Sequence, residues 1–278
     1  MSGLEDLPPL RDTLAAHDLL AKKSFGQHFL LDLNITRKIA RLAEVGPGDR
    51  VIEVGPGPGG LTRALLETGA VVTAVEMDPR FEPLLNELAA AADGRLSLVI
   101  ADALTVDETS LAQGGPAAIV SNLPYNVGTP LLIKWLTGAF TPTSMTLMFQ
   151  KEVAERIVAP PGSDAYGRLA VIAQACAEVR LVMDAPARAF TPPPKVDSAV
   201  VRLKPRADRP APALLTALQT VTQAAFGQRR KMLRSSLKVL GGEALCVVAG
   251  LAPDVRAETI GVEGFLALAS ALIARRGD

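Results

Sequence analysis

The sequence predicts an α/β fold built on a mixed seven-stranded sheet, followed by a small all-α C-terminal domain. Three observations carry that expectation. Short apolar, β-branched runs alternate with helix-compatible stretches between Val51 and Leu203, the rhythm of βαβ units. The first of these runs opens directly into the glycine-rich turn that contains Gly55, Gly57 and Gly60, as a nucleotide-binding βα unit does. After Leu203 a charged stretch with Pro205, Pro210 and Pro212 gives way to a tail of purely helical composition, which marks a linker and a second domain.

The elements follow in order. Residues 51–54, 71–76, 96–101 and 117–121 read as strands of a parallel sheet. Between them, 61–67 and 81–92 are rich in Leu, Ala and Glu, and 130–136 begins with Pro130 at the first helical position, where its missing N–H costs nothing. Further strands are expected at 144–149, 176–183 and 198–203, the last two spaced as an antiparallel finish. The boundary is placed at the linker, giving domains of 1–204 and 205–278, with helices expected at 214–226, 231–240 and 262–275. Residues 1–21 read as an arm, disordered or loosely packed, with a short helix near 10–20.

Composition narrows the function. A chain of 278 residues, 49% apolar and 21% charged, is a globular protein rather than a disordered tail. No apolar run reaches the roughly 18 to 20 residues of a membrane span. Glu5, Asp6, Asp12 and Asp18 stand where a signal peptide would be basic, so a cytoplasmic location is expected. Cys176 and Cys246 lie far apart, and with only two histidines there is no zinc or other metal spacing, nor a disulfide framework. The net charge is zero, yet residues 180–240 hold twelve basic and three acidic residues, a local +9. Such asymmetry suits a phosphate-binding face on an otherwise acidic molecule.

The turn after residue 54 lets backbone approach a ligand, and the following helix start adds partial positive charge. Its spacing fits a nucleotide-type ligand without saying which. Glu76 ends the second strand, twenty-one residues after Gly55, where an acid accepts hydrogen bonds from ribose hydroxyls. Asp102 ends the third strand and suits the exocyclic amine of an adenine. The fourth strand ends in Asn122, Leu123, Pro124 and Tyr125: an amide, a proline-stiffened turn and an aromatic ring. That set suits an exocyclic amine on a flat ring. The Asn122 carboxamide oxygen and the Leu123 carbonyl each accept one N–H while Tyr125 stacks on the base, so positioning and electrostatics supply the catalysis and no tuned general base is needed.

The stretches 53–62, 75–76, 101–102 and 121–125 resemble the successive motifs of class I S-adenosylmethionine-dependent methyltransferases of the adenine-N6 type, whose fold is Rossmann-like. Three further stretches, KSFGQHFL at 23–30, FTPPPKVDS at 190–198 and FGQRRKMLR at 226–234, are similar to signatures of the bacterial ribosomal RNA adenine dimethyltransferases. The resemblance implies dimethylation at N6 of two adjacent adenosines in the hairpin loop near the 3′ end of 16S rRNA in the small ribosomal subunit, by a monomer. It implies cofactor contacts at His28, Leu30, Gly55, Gly57, Glu76, Met77, Asp102, Ala103 and Asn122. Asn122, Leu123, Pro124 and Tyr125 would hold the target adenine, and Phe190 would clamp it from the other side, as flipped bases are held. Arg229, Arg230, Lys231 and Arg234, opening an expected helix, would bind rRNA phosphates. Relatives commonly carry asparagine where this chain has His28.

Three other readings fit parts of the sequence. Another N6 or N5 methyltransferase shares the four-strand logic, but glutamine-directed and many DNA enzymes have proline in place of Leu123. A ribosome-assembly or transcription factor of the same fold would act by RNA binding alone. A nicotinamide oxidoreductase accounts for the glycine spacing only and lacks an acid/base pair.

Overall fold

The computed structural model describes residues 3–19, 28–228 and 230–277. Helix α1 (Leu10–Ala16) is followed by strand β1 (Phe29–Leu30) and helix α2 (Leu33–Ala43). An alternating series comes next: β2 (Arg50–Val54), α3 (Gly60–Glu67), β3 (Val71–Glu76), α4 (Glu82–Ala91), β4 (Leu96–Ile100), α5 (Glu108–Leu111), β5 (Ala118–Asn122), α6 (Gly128–Thr137) and β6 (Met145–Gln150). Then follow α7 (Lys151–Val158), α8 (Arg168–Cys176), β7 (Ala177–Ala185), β8 (Phe190–Thr191) and β9 (Ser198–Pro205). Helices α9 (Pro212–Gly227), α10 (Leu233–Ser236), α11 (Gly242–Val248) and α12 (Val262–Gly277) complete the chain.

The expected seven-stranded mixed sheet is present, in the order β4-β3-β2-β5-β6-β9-β7. Strands β4 through β6 pair in parallel and β9 runs antiparallel to β6. The central strands are apolar almost throughout, with Ile52, Val72, Ala74, Ile119 and Val120 all buried, as a sheet covered on both faces requires. The chain leaves β2 towards β3 and β4, then returns to the opposite side of β2 as β5. That reversal opens a crevice at the carboxyl ends of β2 and β5, the usual ligand position in such sheets.

Two compact units divide the chain, one formed by residues 1–135, 140–154 and 181–203, the other by 136–139, 155–180 and 204–278. The second begins at Lys204 within the linker region, but it also takes in 155–180, which lie before the linker in sequence. The reason is packing. Helix α8 carries the buried residues Ala170, Val171 and Ile172 and contacts α9 and α12. In the same unit the Tyr166 hydroxyl donates to the Ile260 carbonyl at 2.9 Å, the Tyr166 ring meets Phe226 edge-on, and Phe226 stacks on Phe265.

Two expectations need correction. The described part of the N-terminal arm, residues 3–19, is not loosely packed: Leu10, Leu14 and Leu19 are buried, and the Arg63 side chain of α3 donates to the Pro8 carbonyl at 2.7 Å. An amphipathic turn with three leucines finds an apolar seat on α3, which the surrounding acidic residues disguise. The stretch 231–240 is not one helix either. Met232 forms an isolated bridge with Arg256, and Leu233 and Arg234 donate backbone bonds to Val255 and Pro253, so only the short α10 and a 3-10 turn at Lys238–Leu240 form.

Candidate active site

The carboxyl ends of β2, β3, β4 and β5 surround a cavity of about 340 Å³ within the sheet-bearing unit, in the size range of small-ligand sites. Each strand delivers one functional group. From β2 comes the glycine loop. Gly55 has φ +68° and donates to the Val75 carbonyl at 2.9 Å, and a Cβ there would sit 3.2 Å from Pro124. At Gly60 a Cβ would lie 2.7 Å from the Leu30 carbonyl oxygen. Glycine at these positions lets the loop, the lead strand β1 and the 122–125 turn close around one space.

Strand β3 delivers Glu76. Its carboxylate accepts Gly57 N–H at 3.1 Å and Asp78 N–H at 2.9 Å, so it braces the glycine loop from across the crevice. Burial raises its pKa, opposed by those two N–H donors. Glu53, one strand over, is deeper: burial pushes it to about 8, its Oε2 has no hydrogen-bond partner, and it lines the cavity. Glu53 is a cavity residue beyond those expected from the sequence. Its signal was a charge inside the otherwise apolar Val51-Ile52-Glu53-Val54.

Beyond β4, Asp102 is exposed at the rim. Its Oδ1 is engaged by the Leu104 N–H at 2.9 Å, which fixes the carboxylate's direction. Ala103 beside it is buried, Leu104 half-exposed, and Met77 stands 69% exposed at the opposite lip. All four line the cavity. These lips are apolar with one carboxylate, a match for a flat heteroaromatic ring bearing an amine.

Asn122 closes β5, and its side chain makes no hydrogen bond among the described residues, as an acceptor held ready for a ligand would not. Leu123 is buried, and Pro124 packs over Gly55. The Tyr125 hydroxyl shares a 2.8 Å hydrogen bond with the Ser198 hydroxyl, and burial raises its pKa. The Tyr125 ring stacks on His28 with centroids 5.6 Å apart and planes at 30°. His28 Nδ1 in turn donates to the Pro192 carbonyl at 2.8 Å. His28 therefore joins the lead segment, the tyrosine and the 190–198 stretch, besides lining the cavity. Ser198, the last residue of the 190–198 stretch, is the tyrosine's partner.

Two groups of expected residues stand elsewhere. Phe190 is 3% exposed, pairs through β8 with Leu30 of β1, and belongs to the hydrophobic core instead of lining the cavity. Its ring is taken up by the packing that holds β1 in place. Arg229 and the lead residues Lys23 to Gln27 lie outside the described residues. Arg230, Lys231 and Arg234 are exposed; the first two belong to the turn between α9 and α10, which replaces the expected helix start, and the third to α10 itself.

Among the described residues no cluster of His, Cys, Asp and Glu could hold a metal, and no helix is long and apolar enough to cross a membrane.

A sequence profile described as "Ribosomal RNA adenine dimethylase" matches residues 19–273. The chain is 74% identical over 274 residues, 99% of its length and 96% of the relative's, to "Ribosomal RNA small subunit methyltransferase A" of Phenylobacterium zucineum. It is 71% identical over 254 residues, 91% of its length and 98% of the relative's, to the protein of the same description from Caulobacter vibrioides. Among solved structures, a dimethyladenosine transferase from Plasmodium falciparum superposes with a TM-score of 0.73 at 25% identity, over 87% of this chain and 96% of that one. The 23S rRNA methyltransferase ErmE superposes with a TM-score of 0.68 at 30% identity, over 88% and 99%. With the strand-end groups of the cavity and a profile that spans all but the arm and the last few residues, the chain belongs to the ribosomal RNA adenine dimethylase family.

Proposed function

We propose that this protein dimethylates N6 of two adjacent adenosines in the hairpin loop near the 3′ end of 16S rRNA, on the small ribosomal subunit in the cytoplasm, acting as a monomer during subunit assembly. The observation that carries the reading is the convergence on one cavity of two acids suited to an adenosine and an amide-proline-tyrosine turn suited to an adenine amine. The family methylates rRNA adenines with S-adenosylmethionine, and the residues present fit that cofactor. The cavity has the right size, Gly55 and Gly60 leave little room for a Cβ against Pro124 and the Leu30 carbonyl, and a buried carboxyl oxygen of Glu53 faces it without a partner.

Glu76 would accept the ribose hydroxyls, Asp102 the adenine amine, and Met77, Ala103 and Leu30 would pack against the rings, with Gly55, Gly57 and His28 towards the methionine end. The bound cofactor supplies an electrophilic methyl group. Every other contribution belongs to the chain. An adenine amine is a poor nucleophile because its lone pair is delocalised into the ring. Asn122 Oδ1 and the Leu123 carbonyl accept its two N–H groups and bend the nitrogen towards tetrahedral geometry, which frees the lone pair for the methyl. Tyr125, steadied by Ser198 and His28, offers the stacking face. Pro124 holds the turn rigid, so little reorganisation is needed. After the first transfer the methylated nitrogen releases one proton to solvent and keeps one N–H, so the second transfer engages one of the two acceptors and releases the last proton in the same way. Phe190 acts from the core, by holding β1 in place through its pairing with β8. Arg230, Lys231 and Arg234, with Arg229, would bind phosphates from the C-terminal helical domain, an RNA-binding role for residues 205–278.

Primer extension across the 3′ hairpin tests the site. A dimethylated adenine cannot pair, so reverse transcription should stop at two neighbouring positions on subunits treated with enzyme and cofactor. Stops elsewhere would give the chain a different target.

A further inference from the structure

Beside the cavity lies a polar cluster that the mechanism above leaves unused. The loop from Asp102 to Asp107, between β4 and α5, is mostly exposed, and Ala103 is its one buried residue. Its internal bonds, Leu104 N–H to Asp102 Oδ1 and Thr105 N–H to the Asp102 carbonyl, fix its local shape and not its distance from the rest of the site. At its base the loop is held to the sheet by the Ala101 N–H, which donates to the Glu76 carbonyl at 2.9 Å; beyond Asp102 it is held from α6. Lys134 Nζ donates to the Ala103 carbonyl at 2.9 Å, to the Val106 carbonyl at 2.6 Å and to Glu108 Oε1 at 2.8 Å. All three ammonium protons are thereby used. The buried Trp135 donates its indole N–H to the same Glu108 oxygen at 2.7 Å, and Glu108 is itself 6% exposed.

Helix α6 starts at Gly128, directly after the turn of Asn122 to Tyr125, and Gly128 N–H bonds the Pro124 carbonyl. One ammonium group therefore ties the loop that carries Asp102 and Ala103 to the helix that continues the amine-holding turn. A surface lysine would bond water or one carboxylate; here it takes two loop carbonyls and a buried carboxylate.

We propose that Lys134 is a positioning residue for adenosine binding: it holds the 102–107 loop in register with the 122–125 turn, so that the adenine lip and the amine acceptors keep one fixed spacing. The inference rests on the reading of the cavity as the S-adenosylmethionine site. Without the clamp the loop must be ordered by the ligand, and that cost is taken from affinity. Ground state and transition state lose it equally, so it falls on KM and not on kcat.

The full-length protein and Lys134→Met are titrated with S-adenosylhomocysteine and with adenosine, and KM and kcat are measured on small subunits that lack the modification. The expected result is a roughly tenfold weaker affinity for both ligands and a similar rise in cofactor KM, with kcat within about twofold. Lys134→Arg, which keeps several donors, should recover most of the loss. Unchanged affinity in the methionine variant, or a lower kcat at unchanged affinity, overturns the proposal. If Lys134→Met does not fold, Lys134→Gln must show an intermediate loss for the proposal to stand, and wild-type affinity there overturns it. A wild-type protein that binds neither ligand refutes the cavity assignment itself, and this inference with it.

Discussion

Asn122 is an amide at the end of a buried strand whose side chain has no partner among the described residues. In the proposed mechanism it acts on the target amine more than on the cofactor. Asn122→Ala should therefore lower kcat by about 100-fold or more, the usual scale for one polar group aimed at the reacting centre. The cofactor's affinity, read by calorimetry, should change by less than about threefold; normal turnover would remove the residue from the chemistry. Glu53 gives a different kind of prediction. Its pKa rises from 4.5 to about 8 because the folded chain removes it from water. A raised carboxyl binds a proton that the unfolded chain has released, so its contribution to stability is full below about pH 4.5 and is lost as pH climbs through about 8. Glu53→Gln should flatten the fall in stability between those pH values, by an amount on the order of a few kcal/mol in denaturant melts. A variant with an unchanged profile would assign the slope to other groups. The placement of Glu76, Asp102 and Asn122 around one cavity was legible in sequence because the carboxyl ends of parallel strands fall along one edge of the sheet. The core position of Phe190 was not, since a two-residue pairing with β1 leaves no periodicity to read.

At the scale of elements, the glycine loop works because three pieces of backbone meet there. Gly60→Ala would put a Cβ 2.7 Å from the Leu30 carbonyl and 3.1 Å from Leu10, so β1 and α1 must both shift. The expected cost is about 1–3 kcal/mol of stability, together with a raised cofactor KM; a variant as stable and as tight as wild type would show the contact to be relaxed. The exposed turn between α9 and α10 carries charge without regular structure. Alanine at Arg229, Arg230 and Lys231 together should weaken RNA binding and reduce the slope of log affinity against log salt by roughly 2. An unchanged slope would mean that these charges only solvate the turn. All seven sheet strands announced themselves by β-branched runs, within one or two residues. Helix α2 lies in a stretch for which no element was expected; it forms because Asp32 caps it and Ile39, Ala40 and Ala43 bury one face. Helix α8 was hidden because it is apolar nearly all round, so no amphipathic stripe marks it.

For the whole molecule, a net charge of zero conceals a division of labour. The sheet-bearing unit holds the cavity with its acids, while the basic turn belongs to the helical unit. Such a division suits an enzyme that takes a nucleoside cofactor in one place and gathers rRNA phosphates with another. The fold is legible from the strand-helix alternation and the glycine loop, and the family from the resemblance carried by the stretches 23–30, 190–198 and 226–234. The clamp of Lys134 and the packing of the arm were not, because both depend on partners at least 26 residues away in the chain. The central claim is the reaction itself. Purified protein is incubated with S-adenosylmethionine and small ribosomal subunits that lack the modification, the RNA is digested to nucleosides, and N6,N6-dimethyladenosine is sought by mass spectrometry. Its appearance, dependent on both protein and cofactor, is the predicted result. Its absence while the protein binds the cofactor in a parallel titration would contradict the account.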